Sequence, residues 1–270
     1  MSSTDTVFAG SVPELYERHM VPLIFEPYAR DIAARALRRQ PQRVLEIAAG
    51  TGVVTRHLAD ALPQGSEIIA TDLNQAMLDQ AAMVGTSRAV TWRQADAMKL
   101  PFADESFDLV VCQFGAMFFP DRAHAYGEAR RVLRAGGAYI FNVWDAIEHN
   151  EFADTVTQAV AQLFPQDPPR FLARTPHGYH DKALIARDLA AGGFAKAAEI
   201  AMLTETSRAA SAQLVAMAYC QGTPLRGEIE ARGASRLLEA TELASAALAR
   251  QFGSGAVAGK IQAHVVTVER

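Results

Sequence analysis

Three carboxylates in the first hundred residues sit where short apolar runs end. Glu46 lies in Val44-Leu45-Glu46-Ile47, Asp72 follows Ile68-Ile69-Ala70-Thr71, and Asp96 follows Val90-Thr91-Trp92-Arg93-Gln94-Ala95. The first run passes directly into small residues, Ala48-Ala49-Gly50-Thr51-Gly52. A glycine turn after a strand bares main-chain N–H groups, and a flat or anionic ligand can approach them closely. A carboxylate ending the next strand can accept both hydroxyls of a ribose. Asp96 could accept from an exocyclic amine, with the Ala97 N–H completing the pair, and Met77 and Phe114 offer apolar surface to a purine. Each feature has a structural alternative, since an acid after a strand commonly caps a helix or faces solvent. Their recurrence on successive strand ends points to a nucleoside-bearing cofactor.

The elements needed to place these groups are legible in the pattern. Apolar runs at Val44–Ile47, Glu67–Ala70, Ala89–Arg93, Phe107–Gln113 and Ala138–Trp144 read as strands. Helices of about ten residues alternate with them, which predicts βαβ units and a parallel sheet covered on both faces. Ligands then bind outside the carboxyl ends of the strands. Ala135-Gly136-Gly137 reads as the cap ending a helix over 122–133. Residues 11–40 read as helical, broken at Pro22 and Pro27 into a short piece and the helix Glu26–Arg39. This segment could lie over the cofactor as a lid or simply pack on the sheet. The second half is less regular: helices at 151–164, 182–191, 211–220 and 228–252, and strands at 198–206 and 261–268.

Composition removes several classes of function. The chain of 270 residues has formal charge −4 and no Lys/Arg run, so it lacks the electrostatic footprint for nucleic acid. No apolar run reaches the roughly 18–20 residues that span a bilayer, and Met1–Gly10 lacks the pattern of a secretory signal. Two cysteines, Cys112 and Cys220, cannot make a metal cluster and suit a reducing compartment, so no metal and a cytoplasmic location are expected. The sequence is compatible with a homodimer.

The glycine turn separates two cofactor classes. A nicotinamide fingerprint needs a third glycine, whereas Val53, Val54 and Thr55 follow Gly52. The turn instead resembles the Glu/Asp-x-Gly-x-Gly-x-Gly motif of class I S-adenosylmethionine-dependent methyltransferases, with Ala48 in the first glycine position. Residues 70–78, Ala-Thr-Asp-Leu-Asn-Gln-Ala-Met-Leu, look like that family's second motif. Gln94–Ala97, Leu100-Pro101-Phe102, Phe107–Val111 and Arg131–Gly137 resemble its later ones. Over residues 40–145 the chain is similar to the ubiquinone/menaquinone-type (type 11) branch, which methylates small molecules.

The resemblance implies a Rossmann-like, doubly wound α/β fold: seven strands, mostly parallel, a reversed last strand, and helical insertions. It divides the chain into a lid (1–40), a cofactor-binding core (41–145) and a C-terminal half with substrate-side insertions (146–270). It implies that Ala48, Ala49 and Gly50 hold the methionine part of S-adenosylmethionine, and that Glu46 and Gly52 also belong to the cofactor-binding residues. Asp72 would bind the ribose, Leu73 and Met77 would flank the adenine, and Asp96 and Ala97 would read its edge. Gln113 and Phe114 would border the site, and Tyr16 would reach it from the lid.

A sulfonium methyl is already activated, so alignment and exclusion of water are the main requirements. A base is needed only for a protonated nucleophile; His177, His180 and His149 are candidates, each with a surface or loop role as the alternative. Trp144, Tyr179 and Phe118 could line an apolar pocket for a small organic methyl acceptor. Cys112-Gln113-Phe114-Gly115 replaces the Asn/Asp-Pro-Pro-aromatic motif of enzymes that methylate amide or base nitrogens. Two rivals stay open: a nicotinamide-dependent oxidoreductase and a non-catalytic S-adenosylmethionine binder.

Overall fold

The computed structural model describes residues 12–233 and 235–270. The part of the expected lid over residues 1–11 lies outside them. Seven strands form one sheet in the order β3-β2-β1-β4-β5-β7-β6. They are β1 (Arg43–Ile47), β2 (Glu67–Asp72), β3 (Thr91–Gln94), β4 (Phe107–Gln113), β5 (Leu133–Trp144), β6 (Glu199–Ala209) and β7 (Val257–Glu269). β1 pairs in parallel with both β2 and β4, and β4 with β5. β7 runs antiparallel to β5 and β6. The expected sheet and its reversed last strand are both present.

β1 and β4 are central, covered on both faces, and accordingly read as nearly unbroken apolar runs. Val44, Leu45, Leu109, Val110 and Val111 are all fully buried. On one face of the sheet, the helices Glu26–Arg39 and Val53–Ala61 pack together. On the other, Tyr126 of the helix Arg122–Val132 meets the rings of Tyr139 and Phe141. Because strand order reverses at β1/β4, the carboxyl ends of those two strands open a crevice.

Three sequence expectations change. Pro22 does not break the N-terminal segment: Tyr16–Phe25 winds as a π-helix and runs without interruption into Glu26–Arg39. The wider turns admit a residue that lacks an N–H, and Pro27 falls in the first turn of the next helix, where that loss is harmless. Ala135-Gly136-Gly137 is not a helix cap, because the helix ends at Val132 and β5 has begun by Leu133, with Gly136 at φ +78°. The long C-terminal helix is two, Leu225–Arg232 and Arg236–Phe252, parted at Gly233.

Candidate active site

β1 ends at Ile47, and the chain turns through left-handed residues, Ala48 at φ +55°, Gly50 at +57° and Gly52 at +85°. Backbone bonds hold the turn: the Ala49 N–H donates to Thr71 O (2.9 Å) and the Gly52 N–H to Ala49 O (2.9 Å). The Gly50 N–H donates to Asp72 Oδ2 at 2.9 Å, and the Asn74 N–H to Oδ1 at 2.8 Å. Asn74 Nδ2 also lies 3.5 Å from Oδ1, so Oδ2, with one donor, is the oxygen that keeps acceptor capacity for a ligand hydroxyl. Burial raises the Asp72 pKa, opposed chiefly by the bonds from Asn74 and Gly50.

A cleft of about 440 Å³ lies over this turn, within the range of small-molecule sites. Ala48, Gly50, Asp72, Leu73 and Met77 line it, together with Asp96 and Ala97, and Gln113 and Phe114 at the end of β4. Tyr16 and Phe118 line it as well. Glu46, Ala49 and Gly52 do not line it. Gly52 is a packing glycine, since a Cβ there would stand 2.9 Å from Trp92 Cη2. Glu46 is buried beneath the turn, its Oε2 accepting from Thr55 Oγ1 at 2.5 Å, and burial pushes its pKa up to about 8.

The N-terminal segment is tied to the turn by Arg56. Its Nη1 donates to Thr51 O (2.8 Å) and its Nη2 to Glu17 Oε1 (2.7 Å). The neighbouring Tyr16 stacks on Phe25 with centroids 5.0 Å apart. Burial first, and the Asp72 charge second, hold its phenol well above the usual range, so it stays protonated.

A second, smaller cavity of about 60 Å³ adjoins the cleft and shares Tyr16, Phe114 and Phe118 with it. Phe25, Trp144 and Phe171 supply most of its remaining aromatic wall. Phe114 stands at φ +50°, a left-handed conformation that is costly for a bulky residue. It is fixed by donation of its N–H to Asn142 Oδ1 (2.9 Å) and by face-to-face stacking on Trp144, 3.8 Å between centroids and 5° between planes. Trp144 and Phe118 both line this small cavity.

His177 also lines the small cavity, but the other histidines do not. His180 is exposed and binds the His177 carbonyl oxygen through Nδ1 at 2.8 Å, and His149 is exposed with Nδ1 3.5 Å from Lys260 Nζ. Tyr179 lines neither cavity. Its hydroxyl bonds Tyr126 and Asp188, and Arg122 covers its ring at 4.1 Å, so it is core. Sequence reading missed Asn74, Phe119 and Pro120 in the cleft and Phe25, Phe171 and Tyr219 in the small cavity. Asn74 lies inside the motif already singled out. The others have no local signature, because distant segments bring them together.

A doubly wound sheet with a reversed last strand, and a carboxylate-ended cleft at its switch point, is the architecture of the class I methyltransferases. A family profile described as "Methyltransferase domain" matches residues 45–141. A demethylmenaquinone methyltransferase of Deinococcus radiodurans is 35% identical over 138 residues, covering 50% of this chain and 57% of that protein. Another, from Mycobacterium sp. strain KMS, is 32% identical over 163 residues, covering 57% of this chain and 68% of that protein. An N-methyltransferase from Haemonchus contortus, solved with phosphomonomethylethanolamine and S-adenosylhomocysteine, shares the fold. Its TM-score is 0.59 at 18% identity, over 100% of this chain and 61% of that one. The chain belongs to the class I S-adenosylmethionine-dependent methyltransferases, in the ubiquinone/menaquinone-type branch.

Proposed function

We propose that this protein transfers the methyl group of S-adenosylmethionine to a small, planar, largely apolar organic acceptor held beyond Phe114. The observation that carries this reading is the common boundary of the two cavities at Tyr16, Phe114 and Phe118. In it, the Gly50 turn holds the methionine end, Asp72 the ribose, and Asp96, Ala97, Leu73 and Met77 the adenine. The residues present fit that cofactor: Asp72 keeps acceptor capacity on Oδ2, and no side chain at Gly50 obstructs the main chain. When bound, S-adenosylmethionine supplies an electrophilic methyl on a sulfonium.

The protein's own contribution is alignment and exclusion of water. Tyr16, Phe114 and Phe118 surround the junction with aromatic surface, and the strained Phe114 is locked by Asn142 and Trp144. The small cavity holds less than one ring, so an acceptor enters by parting apolar side chains of the 16–25 segment and Phe171. The demethylmenaquinone named for the relatives is an acceptor of this planar, apolar kind. The segment to residue 40 acts as lid, 41–145 bind the cofactor, and 146–270 shape the acceptor side. Among the described residues no helix is long and apolar enough to cross a membrane. The two free, buried cysteines suit a cytoplasmic setting.

A screen of planar acceptors with methyl-labelled cofactor tests this reading. Label transfer with release of S-adenosylhomocysteine is expected. A larger thermal shift with NADH than with S-adenosylmethionine would overturn it in favour of an oxidoreductase, and cofactor binding with no transfer to any acceptor would favour a non-catalytic binder.

A further inference from the structure

A third hollow, of about 580 Å³, lies at the opposite end of β4 and β5 from the cofactor cleft, and its size is that of a small-molecule site. The last turns of the helix Glu26–Arg39 form part of it, with Asp108 near the start of β4 and residues 134–137 near the start of β5. Ile140 and Thr267, register partners across β5 and β7, also line it. Four guanidinium groups converge there: Arg35, Arg38 and Arg39 from one face of the helix, at i, i+3 and i+4, and Arg134 from β5. The helix dipole favours cations in a last turn, which accounts for Arg38 and Arg39 but not for the arrival of Arg134. Like charges at these spacings also oppose the helix.

Three carboxylates share the walls, and two of them are already bonded. Asp108 accepts from the N–H groups of Gln42 (3.0 Å) and Arg43 (2.8 Å) and from Arg134 Nη1 (2.8 Å). Glu269 accepts from Arg39 Nη1 at 2.8 Å and Lys196 Nζ at 2.9 Å, which hold its carboxyl down at about 2. The third, Glu199, is exposed. The arginines keep donors beyond these bonds, because each guanidinium carries five N–H groups. Arg35 engages only Nε, to Asp31 Oδ2 at 2.7 Å, and Arg39 only Nη1. Arg134 engages Nε, to Glu105 O at 3.2 Å, and Nη1, which leaves Nη2. Arg38 has no side-chain hydrogen bond or ion pair among the described residues. Beside them Gly136 stands at φ +78° with open space where a Cβ would be, so the main chain there is bare.

We propose that this hollow binds a small phosphorylated molecule, its phosphate or diphosphate group held by Arg35, Arg38, Arg39 and Arg134. The uncommitted donors come from a helix and from a strand, so they meet an oxyanion from more than one side. A tetrahedral phosphate presents oxygens in several directions, whereas a carboxylate presents two in one plane, and planar guanidinium forks match either oxygen pair. The site stands apart from methyl transfer and does not depend on it.

Calorimetry on the 270-residue chain tests this, in a buffer free of phosphate and sulfate and with S-adenosylhomocysteine added to occupy the cleft. Inorganic pyrophosphate should bind at one site per chain, and more tightly than citrate, a carboxylate probe of similar charge. Arg38→Gln should weaken pyrophosphate about tenfold or more, the worth of a charged hydrogen bond, and Arg35→Gln should do the same. Arg38 holds no other side chain in place, so its loss leaves the fold intact. Arg187→Gln, on the helix Lys182–Ala191 and outside the hollow, should change the affinity by less than about twofold. No pyrophosphate binding, citrate binding as tight, or undiminished affinity in both Arg38→Gln and Arg35→Gln overturns the proposal. An equal loss in Arg187→Gln overturns it too, as it would mean attraction to the chain's charge at large. Binding of phosphatidylglycerol vesicles with none of pyrophosphate would make these arginines a lipid-facing surface and defeat the small-molecule assignment.

Discussion

The Cβ of Ala48 fills the space that a side chain at Gly115 would need. A Cβ on Gly115 would stand 2.6 Å from it and 2.7 Å from Cys112 Sγ. The turn after β1 and the end of β4 therefore meet through one small side chain and one absent one. Gly115→Ala should destabilise by about 1–3 kcal/mol through overpacking. Ala48→Gly should be close to neutral, because relief at φ +55° is offset by a freer unfolded chain. Urea unfolding of the double variant should recover part of the Gly115→Ala loss but not all of it, since Cys112 remains in the way. Strict additivity would show that the two sites do not share this space.

Asp72→Ala should weaken S-adenosylhomocysteine binding by about 10- to 100-fold, as expected for losing charged hydrogen bonds. The same change strips Gly50 of its N–H acceptor. Calorimetry decides this, and an unchanged dissociation constant would remove Asp72 from the ribose role.

Glu46 makes stability depend on pH. Its pKa is raised from 4.5 to about 8 in the fold, so the native state binds more protons than the unfolded chain between those values. Its contribution is fully present below about 4.5 and is lost as pH rises through about 8. His177 acts in the opposite sense: lowered from 6.5 to about 4, it favours the fold above 6.5 and loses that contribution as pH falls through about 4. Melting temperatures of Glu46→Gln from pH 5 to pH 9 should fall less steeply with pH than wild type. Parallel curves would mean that Glu46 is not protonated in the fold.

Trp144 lines the small cavity proposed for the acceptor without lining the larger cleft. Trp144→Leu should therefore leave S-adenosylhomocysteine affinity within about twofold while lowering kcat/KM for any acceptor by about tenfold or more, because a misplaced acceptor loses its near-attack geometry. Loss of cofactor affinity alone would place Trp144 on the other side of the junction.

The cofactor half of the site was legible in the chain because it is local. Strand, turn and helix follow one another from Val44 to Ala61, and Asp72 and Asp96 end the next strands, so periodicity alone brings them to one edge of the sheet. The acceptor half is assembled from Tyr16–Phe25, the end of β5, Phe171–His177 and Tyr219, segments whose meeting no short-range pattern encodes. Tyr179 illustrates the limit. An aromatic next to two histidines looks like a pocket residue, yet Arg122, Tyr126 and Asp188, all distant from it in sequence or half-hidden in a helix, make it a core contact. Pro22 shows a second limit, since breaking a helix is the ordinary expectation and a π-helical turn escapes it.

Tyr16 stands in the wall of both cavities, on a segment that Arg56 fastens to the cofactor turn through Glu17 and Thr51. A partition shared in this way makes the two ligands thermodynamically interdependent. Whatever factor the cofactor imposes on acceptor affinity, the acceptor must impose on cofactor affinity in return.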